Sequence, residues 1–260
     1  MLMRKNRIAI TLFLAILLIA AISSCQSSLR LASVPVWQAI HAVAIMDSRR
    51  MIAPYAIDAT RSGGSIVWII PVVDGVVLVD TGFDEGADSL KKYLGNRKVK
   101  AILLTHCHID HIAAAYRFGD VPIYIGKGDI GYLSGKREFG ANFIRLLYWT
   151  IGSPHYPEKY IPVSDGMKVD VNGTTFIAYE MPGHTPGSVA WLHRDVLFTG
   201  DAAVSFYGYD VRAIYPVVTE DYKVAKRSVH LLHNIQYNVM CDGHFGCVNR
   251  SRKPSMKFEL

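Results

Sequence analysis

Residues 65–82, SIVWIIPVVDGVVLVDTG, are two β-rich apolar runs separated by Asp74-Gly75. Val- and Ile-rich runs broken by an Asp-Gly pair read as two strands joined by a tight turn, which commits this part of the chain to sheet. A helix is predicted in 84–95, DEGADSLKKYLG, starting after Asp84 and closed by Gly95. The short runs VKAILLT (99–105) and VPIYIG (121–126) are further strands. The second half returns to the same rhythm. Residues 167–184 hold a hairpin turned at Asn172-Gly173, and 188–201 a second one turned near Arg194-Asp195. An amphipathic helix is predicted over 221–235, then a last strand, VMCDGHFG (239–246), running into a loop. Strand pairs and helices thus alternate twice, which predicts two similar halves with sheets inside and helices outside. The sequence likeness between the halves is too faint to be a repeat.

The first residues belong to a different kind of segment. Arg4, Lys5 and Arg7 precede a 15-residue apolar run from Ile8 to Ile22 in which only Thr11 is polar. That is short for a membrane span and has the length and charge of a secretory signal. It ends in AISSC, which resembles a bacterial lipobox with Cys25 as the acylated residue. The expected organisation is a signal peptide over 1–24, a lipid-anchored tether over 25–45 and a catalytic body over 46–260. An uncleaved signal anchor is the alternative attachment, and either form places the body on the periplasmic or cell-surface side of the membrane. Three of the 28 basic residues lie in the signal, leaving 25 against 22 acidic residues, so the net charge of +6 falls to +3. No basic run or basic–aromatic ladder remains, so nucleic acid is not an expected partner. Besides Cys25 the cysteines are Cys107, Cys241 and Cys247, too few for a disulfide scaffold. Pairing of Cys241 with Cys247 is left open by their spacing.

The segment from Gly128 to Pro162 interrupts the rhythm. Its part FGANFIRLLYWTIG (139–152) is apolar and aromatic, read as a core helix, with a lid or a membrane-facing surface as alternatives. The preceding GKGDIG (126–131) has the form G-x-G-x-x-G after a strand, but no second strand and no ribose-binding acid follow at the required distance. A tight turn is the simpler reading.

Ten histidines occur in the chain, and three of them, His106, His108 and His111, gather with Asp110 directly after the strand 99–105. Side chains alternate along an extended segment, so His106 and His108 share a side and can reach one ion. Asp110 and His111 follow once the chain turns, and can face a second ion. Zinc accepts neutral imidazole and carboxylate at about 2.0–2.2 Å. Completing such a pair takes distal ligands, and three candidates stand at the ends of predicted strands: His184 in EMPGHTPGS, Asp201 in LFTGDA and His244 in CDGHFG. Cys107, between two of these positions, is expected to point away and pack. His41, His155, His193, His230 and His233 lie outside the motifs, the last two expected three apart on the 221–235 helix surface.

With these pieces in order, VDTG (79–82), THCHIDH (105–111), PGHTPGS (182–188), FTGD (198–201) and GHFG (243–246), the chain resembles the metallo-β-lactamase superfamily over about 60–250. The resemblance implies an α+β fold, a four-layer αββα sandwich with the site at one edge of its sheets. It implies two Zn2+ ions per chain, one on His106, His108 and His184, the other on Asp110, His111 and His244, with Asp201 bridging. Asp80 matches an aspartate that supports the ligands without binding metal.

Two such ions about 3.5–4 Å apart can hold a hydroxide between them at neutral pH. The expected activity is therefore hydrolysis of an ester, lactone, thioester or amide-type bond in a small molecule. Asp110 would orient the nucleophile or pass a proton to the leaving atom. Tyr207, or Tyr209, could donate to the developing oxyanion. Asp201 departs from the dedicated β-lactamases of the superfamily. Only 16 residues follow His244, which argues against a glyoxalase II-like thioesterase with its helical C-terminal domain. Acyl-homoserine lactonases have a tyrosine soon after the bridging aspartate, where this chain has Val204 and then Tyr207. A phosphodiesterase with the same ligands, a non-haem iron redox member and a non-catalytic surface protein are the remaining alternatives. The diiron redox members carry a glutamate at the position of His108, which disfavours that version.

Overall fold

The computed structural model describes residues 55–250 apart from 63, 141, 154 and 207–209. The expected signal peptide and tether lie outside the described residues. Among those described, no helix is long and apolar enough to cross a membrane.

Two six-stranded sheets carry the fold. The first runs β1 (Asp58–Ser62), β2 (Ser65–Val72), β3 (Gly75–Val79), β4 (Val99–Leu103), β5 (Ile123–Gly126) and β6 (Ile161–Val163) in that order across the sheet. The second contains β7 (Lys168–Val171), β8 (Thr174–Glu180), β9 (Val189–His193), β10 (Val196–Gly200), β13 (Val239–Asp242) and β14 (Cys247–Asn249), with β10 beside β13 in parallel. A two-stranded ribbon of β11 (Val204–Phe206) and β12 (Asp210–Arg212) lies between β10 and β13 in sequence. The predicted turns at Asn172-Gly173 and Arg194-Asp195 fall where antiparallel pairs reverse, the one predicted at Asp74-Gly75 lies one residue earlier at Val73-Asp74, and Asp74, Asn172 and Arg194 each have positive φ. Left-handed backbone at a two-residue turn matches the twist of the strands it joins.

Period-2 alternation sorts the side chains into layers. Ile66, Trp68 and Ile70 of β2 face Phe176, Trp191 and Phe198 of the second sheet and form the central core. The alternate residues Val67 and Ile69 face outward, where Leu90 and Leu94 of α1 (Asp88–Leu94) cover them. On the far side, Leu192, Leu197 and Met240 meet Ala225 and Val229 of α5 (Tyr222–Leu231). The order is helix, sheet, sheet, helix, as the alternation of elements predicted. Because both sheets are covered on both faces, β2, β9 and β10 are apolar nearly throughout and not alternating.

Some elements differ from expectation. The helix expected over 84–95 covers only 88–94, since Asp84 carries a turn that accepts from Ala87 N and Ser89 N. The amphipathic helix ends at Leu231, so His233 lies in the turn beyond it, its N–H donating to His230 O. The last strand does not merely run into a loop: the chain returns as β14, and Cys241 and Cys247 are disulfide-bonded across that hairpin. Cys107 is buried in the outer core of the first sheet, away from any cluster of ligands, as expected.

The apolar stretch 139–152 follows α3 (Ile130–Leu133) and contains α4 (Asn142–Ile151). Ile144 and Tyr148 are buried against the first sheet's outer layer, but Leu146 and Trp149 are exposed, Trp149 by 64%. Only one face of this helix is core.

Candidate metal centre

Strands β3 and β4 run parallel to each other, as do β10 and β13, and all four end on one edge of the sandwich. The loops that leave them bring all seven expected ligands together. His106 and His108 follow β4, and His108 precedes α2 (Ile109–Ile112), a single turn that carries Asp110 and His111. His184 lies in the turn between β8 and β9, Asp201 follows β10, and His244 sits between β13 and β14.

The donors fall into overlapping sets whose ligand atoms lie within 4.8 Å of one another: His106, His108 and His184; His106, His111 and Asp201; Asp110, His111 and His244. In the first, the three rings stand 4.5–4.7 Å apart and nearly perpendicular, and the Nε2 atoms of His106 and His184 face each other at 3.1 Å. In the third, Asp110 Oδ2 is 3.6 Å from His111 Nε2 and 3.5 Å from His244 Nε2. Asp201 joins the two halves, with Oδ2 3.7 Å from His184 Nε2 and 3.1 Å from His244 Nε2.

Four of the five imidazoles are oriented by what their other nitrogen meets. Asp80 Oδ2 accepts from His111 Nδ1 at 2.8 Å, while Thr105 donates its hydroxyl to the same oxygen and its backbone N–H to Oδ1. With that hydroxyl spent on Asp80, Thr105 Oγ1 accepts from His106 Nδ1 at 3.1 Å. His184 Nδ1 faces Thr219 Oγ1, which donates to Tyr215 O, and His244 Nδ1 donates to Gly64 O. These contacts put the Nδ1–H outward and turn Nε2 to the middle, where a neutral ring offers its lone pair. Asp80 therefore plays its expected supporting part. The roles of Thr219 and the Gly64 carbonyl carry no sequence signal.

Charge divides the cluster. Burial, then neighbouring imidazoles, hold His106 and His108 well below the usual histidine range. Burial likewise pushes His184 down to about 4. Burial also opposes the charged form of His111 and His244, but there the carboxylates of Asp110 and Asp201 prevail, joined at His111 by Asp80, and both histidines are raised. Burial opposes ionisation of Asp201 too, yet His244 and His111 bring it well below the carboxylate range.

The donors fit divalent cations. His108 Nε2, His111 Nε2 and Asp201 Oδ1 are buried with no hydrogen-bond partner. Polar atoms left so cost free energy unless something binds them. Three of them aimed into one space, among seven N and O donors with no thiolate, suit hard or borderline metal ions. Asp110 and His244 are the most exposed of the seven, at 15% and 12% of their side chains, so solvent reaches the cluster from their side. The opposite flank is closed by Phe139, whose ring packs on His108 and stacks between Tyr132 and Tyr148. Tyr207, the expected oxyanion donor, and Tyr209 lie outside the described residues. The other described histidines, His155, His193, His230 and His233, take no part in these sets.

The Metallo-beta-lactamase superfamily profile matches residues 59–237. The probable metallo-hydrolase YybB of Bacillus subtilis is 30% identical over 155 residues, which is 53% of this chain and 61% of that protein. The match therefore spans about three fifths of the relative's own length. Among solved structures, the BLEG-1 B3 metallo-beta-lactamase aligns with a TM-score of 0.61 at 22% identity, covering 75% of this chain and 95% of that one, a likeness of fold. TTHA1623, crystallised in a di-iron-bound form, aligns with a TM-score of 0.58 at 25% identity, covering 76% of this chain and 96% of that one.

Proposed function

This chain belongs to the metallo-beta-lactamase superfamily, and from that premise we propose that it is a dinuclear zinc-dependent hydrolase. Its substrate is a small molecule with an ester, lactone, thioester or amide-type bond. The observation that carries this reading is the set of buried, partnerless donor atoms of His108, His111 and Asp201 at the focus of the loops. Imidazole and carboxylate are donors that zinc accepts. His106, His108 and His184 would hold one ion, Asp110, His111 and His244 the other, and Asp201 both. When bound, the pair supplies Lewis acidity and brings the pKa of water down to about 7.

The chain's own residues do the rest. Asp80 holds the Nδ1–H of His111, so that Nε2 is the atom that would bind metal once the ring is neutral. Asp110, on the solvent side, is placed to take a proton from attacking water and return it to the leaving atom. Phe139 and its two stacked neighbours exclude water behind His108. Tyr207 is proposed to donate to the developing oxyanion.

The test is a panel of lactones, esters, thioesters, β-lactams and phosphodiesters offered to the zinc-loaded protein, with His108→Ala and Tyr207→Phe beside it. Hydrolysis of carbonyl substrates that His108→Ala abolishes supports the reading. Cleavage of phosphodiesters alone, full activity in His108→Ala, or iron where zinc is expected would overturn it.

We further propose that the protein is exported and held at the membrane through a lipid on Cys25. The apolar run 8–22 supports this, as does the Cys241–Cys247 disulfide, a bond typical of oxidising compartments. Cys25→Ser should move the protein from the membrane to the soluble fraction; unchanged fractionation contradicts the lipid anchor.

A further inference from the structure

Two carboxylates beside the cluster are more deeply buried than most of its ligands, and neither belongs to any donor set. Asp129 and Asp242 have no exposed surface. Asp129 belongs to GKGDIG, the motif left over once dinucleotide binding is rejected. Its Oδ2 accepts from Cys107 N at 3.0 Å and Thr185 Oγ1 at 2.9 Å, and its Oδ1 from Gly187 N at 2.7 Å. Cys107 stands between His106 and His108, and Thr185 follows His184. One side chain therefore ties together the two loops that carry the three-histidine set.

The glycines of the motif allow this approach. A Cβ on Gly126 would lie 2.0 Å from Gly187 O, and one on Gly128 2.4 Å from Pro186 O. On the other side, a Cβ on Gly187 would lie 2.3 Å from Asp129 N. The turn after β5 is thus pressed backbone to backbone onto the His184 loop.

Asp242 repeats the device at the other half. Its Oδ1 accepts from the backbone N–H groups of His244, Phe245 and Gly246, and its Oδ2 from Ser205 N and Ser205 Oγ, both at 2.8 Å. It folds the His244 loop and fastens it to the segment that follows Asp201. In both places every partner is a donor. An ionised carboxylate accepts several such bonds and donates none, whereas an amide would set N–H against N–H.

We propose that Asp129 and Asp242 are positioning residues, one for each half of the cluster. Asp129 sets the spacing of His106, His108 and His184, and Asp242 sets His244 against Asp201. The proposal rests on the metal reading above. Residues that orient ligands from behind typically govern metal affinity by about 10–100-fold. A residue that served the fold alone would not act on one half selectively.

The experiment is a calorimetric titration of Zn2+ into metal-free, full-length protein. Wild type, Asp129→Asn and Asp242→Asn are compared, each also in a His184→Ala and a His244→Ala background. His244→Ala keeps the three-histidine set. In that background Asp129→Asn should weaken binding on the order of 10–100-fold and Asp242→Asn should leave it unchanged. In the His184→Ala background the two effects should exchange. Equal weakening of both halves by either variant, or no weakening, overturns the proposal while two-site binding by wild type leaves the metal reading standing. Wild type that binds no zinc removes both. If an aspartate variant does not fold by circular dichroism, Thr185→Val and Ser205→Ala each remove one of the bonds. They should weaken their own half about fivefold, the worth of one hydrogen bond, and absence of that selective shift overturns the proposal.

Discussion

Replacing Asp80 by Asn should change which nitrogen of His111 keeps its proton once the ring is neutral, the form that binds metal. Asp80 is 1% exposed and accepts three hydrogen bonds at 2.8 Å, from Thr105 N, Thr105 Oγ1 and His111 Nδ1. Asparagine has the same shape. With its oxygen kept on Thr105 N, its amide donors take the place of Oδ2 and face Thr105 Oγ1 and His111 Nδ1. The Thr105 hydroxyl can turn and accept. His111 Nδ1 can accept only if its proton moves to Nε2, the atom that lies 3.6 Å from Asp110 and 3.5 Å from Asp201. A protonated Nε2 cannot bind metal. Restoring the binding tautomer forfeits a hydrogen bond to a charged acceptor, worth about 1.5–3 kcal/mol. At 1.36 kcal/mol per factor of ten, that is about 10- to 150-fold in affinity for the ion on Asp110, His111 and His244. Calorimetric titration of Zn2+ into the metal-free variant measures it. One of two binding events should weaken by that factor, and the event on His106, His108 and His184 should change much less. Two unaltered events would refute the argument, as would equal weakening of both.

Three further outcomes are expected. A Cβ on Gly243 would lie 2.6 Å from Asp201 Oδ1 and 2.7 Å from His111 Cε1, so Gly243→Ala should displace both ligands. It should cost about 1–3 kcal/mol in a denaturation curve, with a marked fall in zinc affinity, and normal affinity would count against the packing argument. Near neutrality His106, His108 and His184 are already neutral, so zinc binding there should release no protons, whereas binding at the raised His111 and His244 should release some. As pH falls below the raised values of His111 and His244 the second event should weaken, by up to about tenfold per pH unit for each proton displaced, while the first holds until pH nears the value of about 4 for His184. Titrations in buffers of different ionisation enthalpy count the protons. Cys241→Ser/Cys247→Ser opens a loop with a sequence separation of 6, which chain entropy puts at about 2 kcal/mol of stability. Urea unfolding of the variant against oxidised wild type measures it, and equal stability contradicts the estimate.

The positions of the clustered donors were readable in the sequence because strand ends are. A run such as VKAILLT or DVLFTGD announces where a strand stops, and a histidine or aspartate placed there must enter the loops at the sheet edge. The layers were readable for the same reason, from hairpin turns at Asp74, Asn172 and Arg194. Strands β1, β6, β11, β12 and β14 were not, since three to five residues carry too little pattern and their pairing comes from partners distant in the chain. Asp129 was missed on similar grounds. Its partner Gly187 lies 58 residues away, and only the paired glycines before it hinted at a close backbone approach. Helix α4 was half legible: composition marked it as apolar, but not that Leu146 and Trp149 would remain exposed.

The central claim is that loops from both sheets cage two cations between five imidazoles and two carboxylates. Crystals of the zinc-loaded protein, measured at the zinc absorption edge, test it directly. The account predicts two anomalous peaks about 3.5–4 Å apart, one beside the Nε2 atoms of His106, His108 and His184, the other beside Asp110, His111 and His244, with Asp201 touching both. A single peak remote from these residues, or none in protein saturated with zinc, would contradict it.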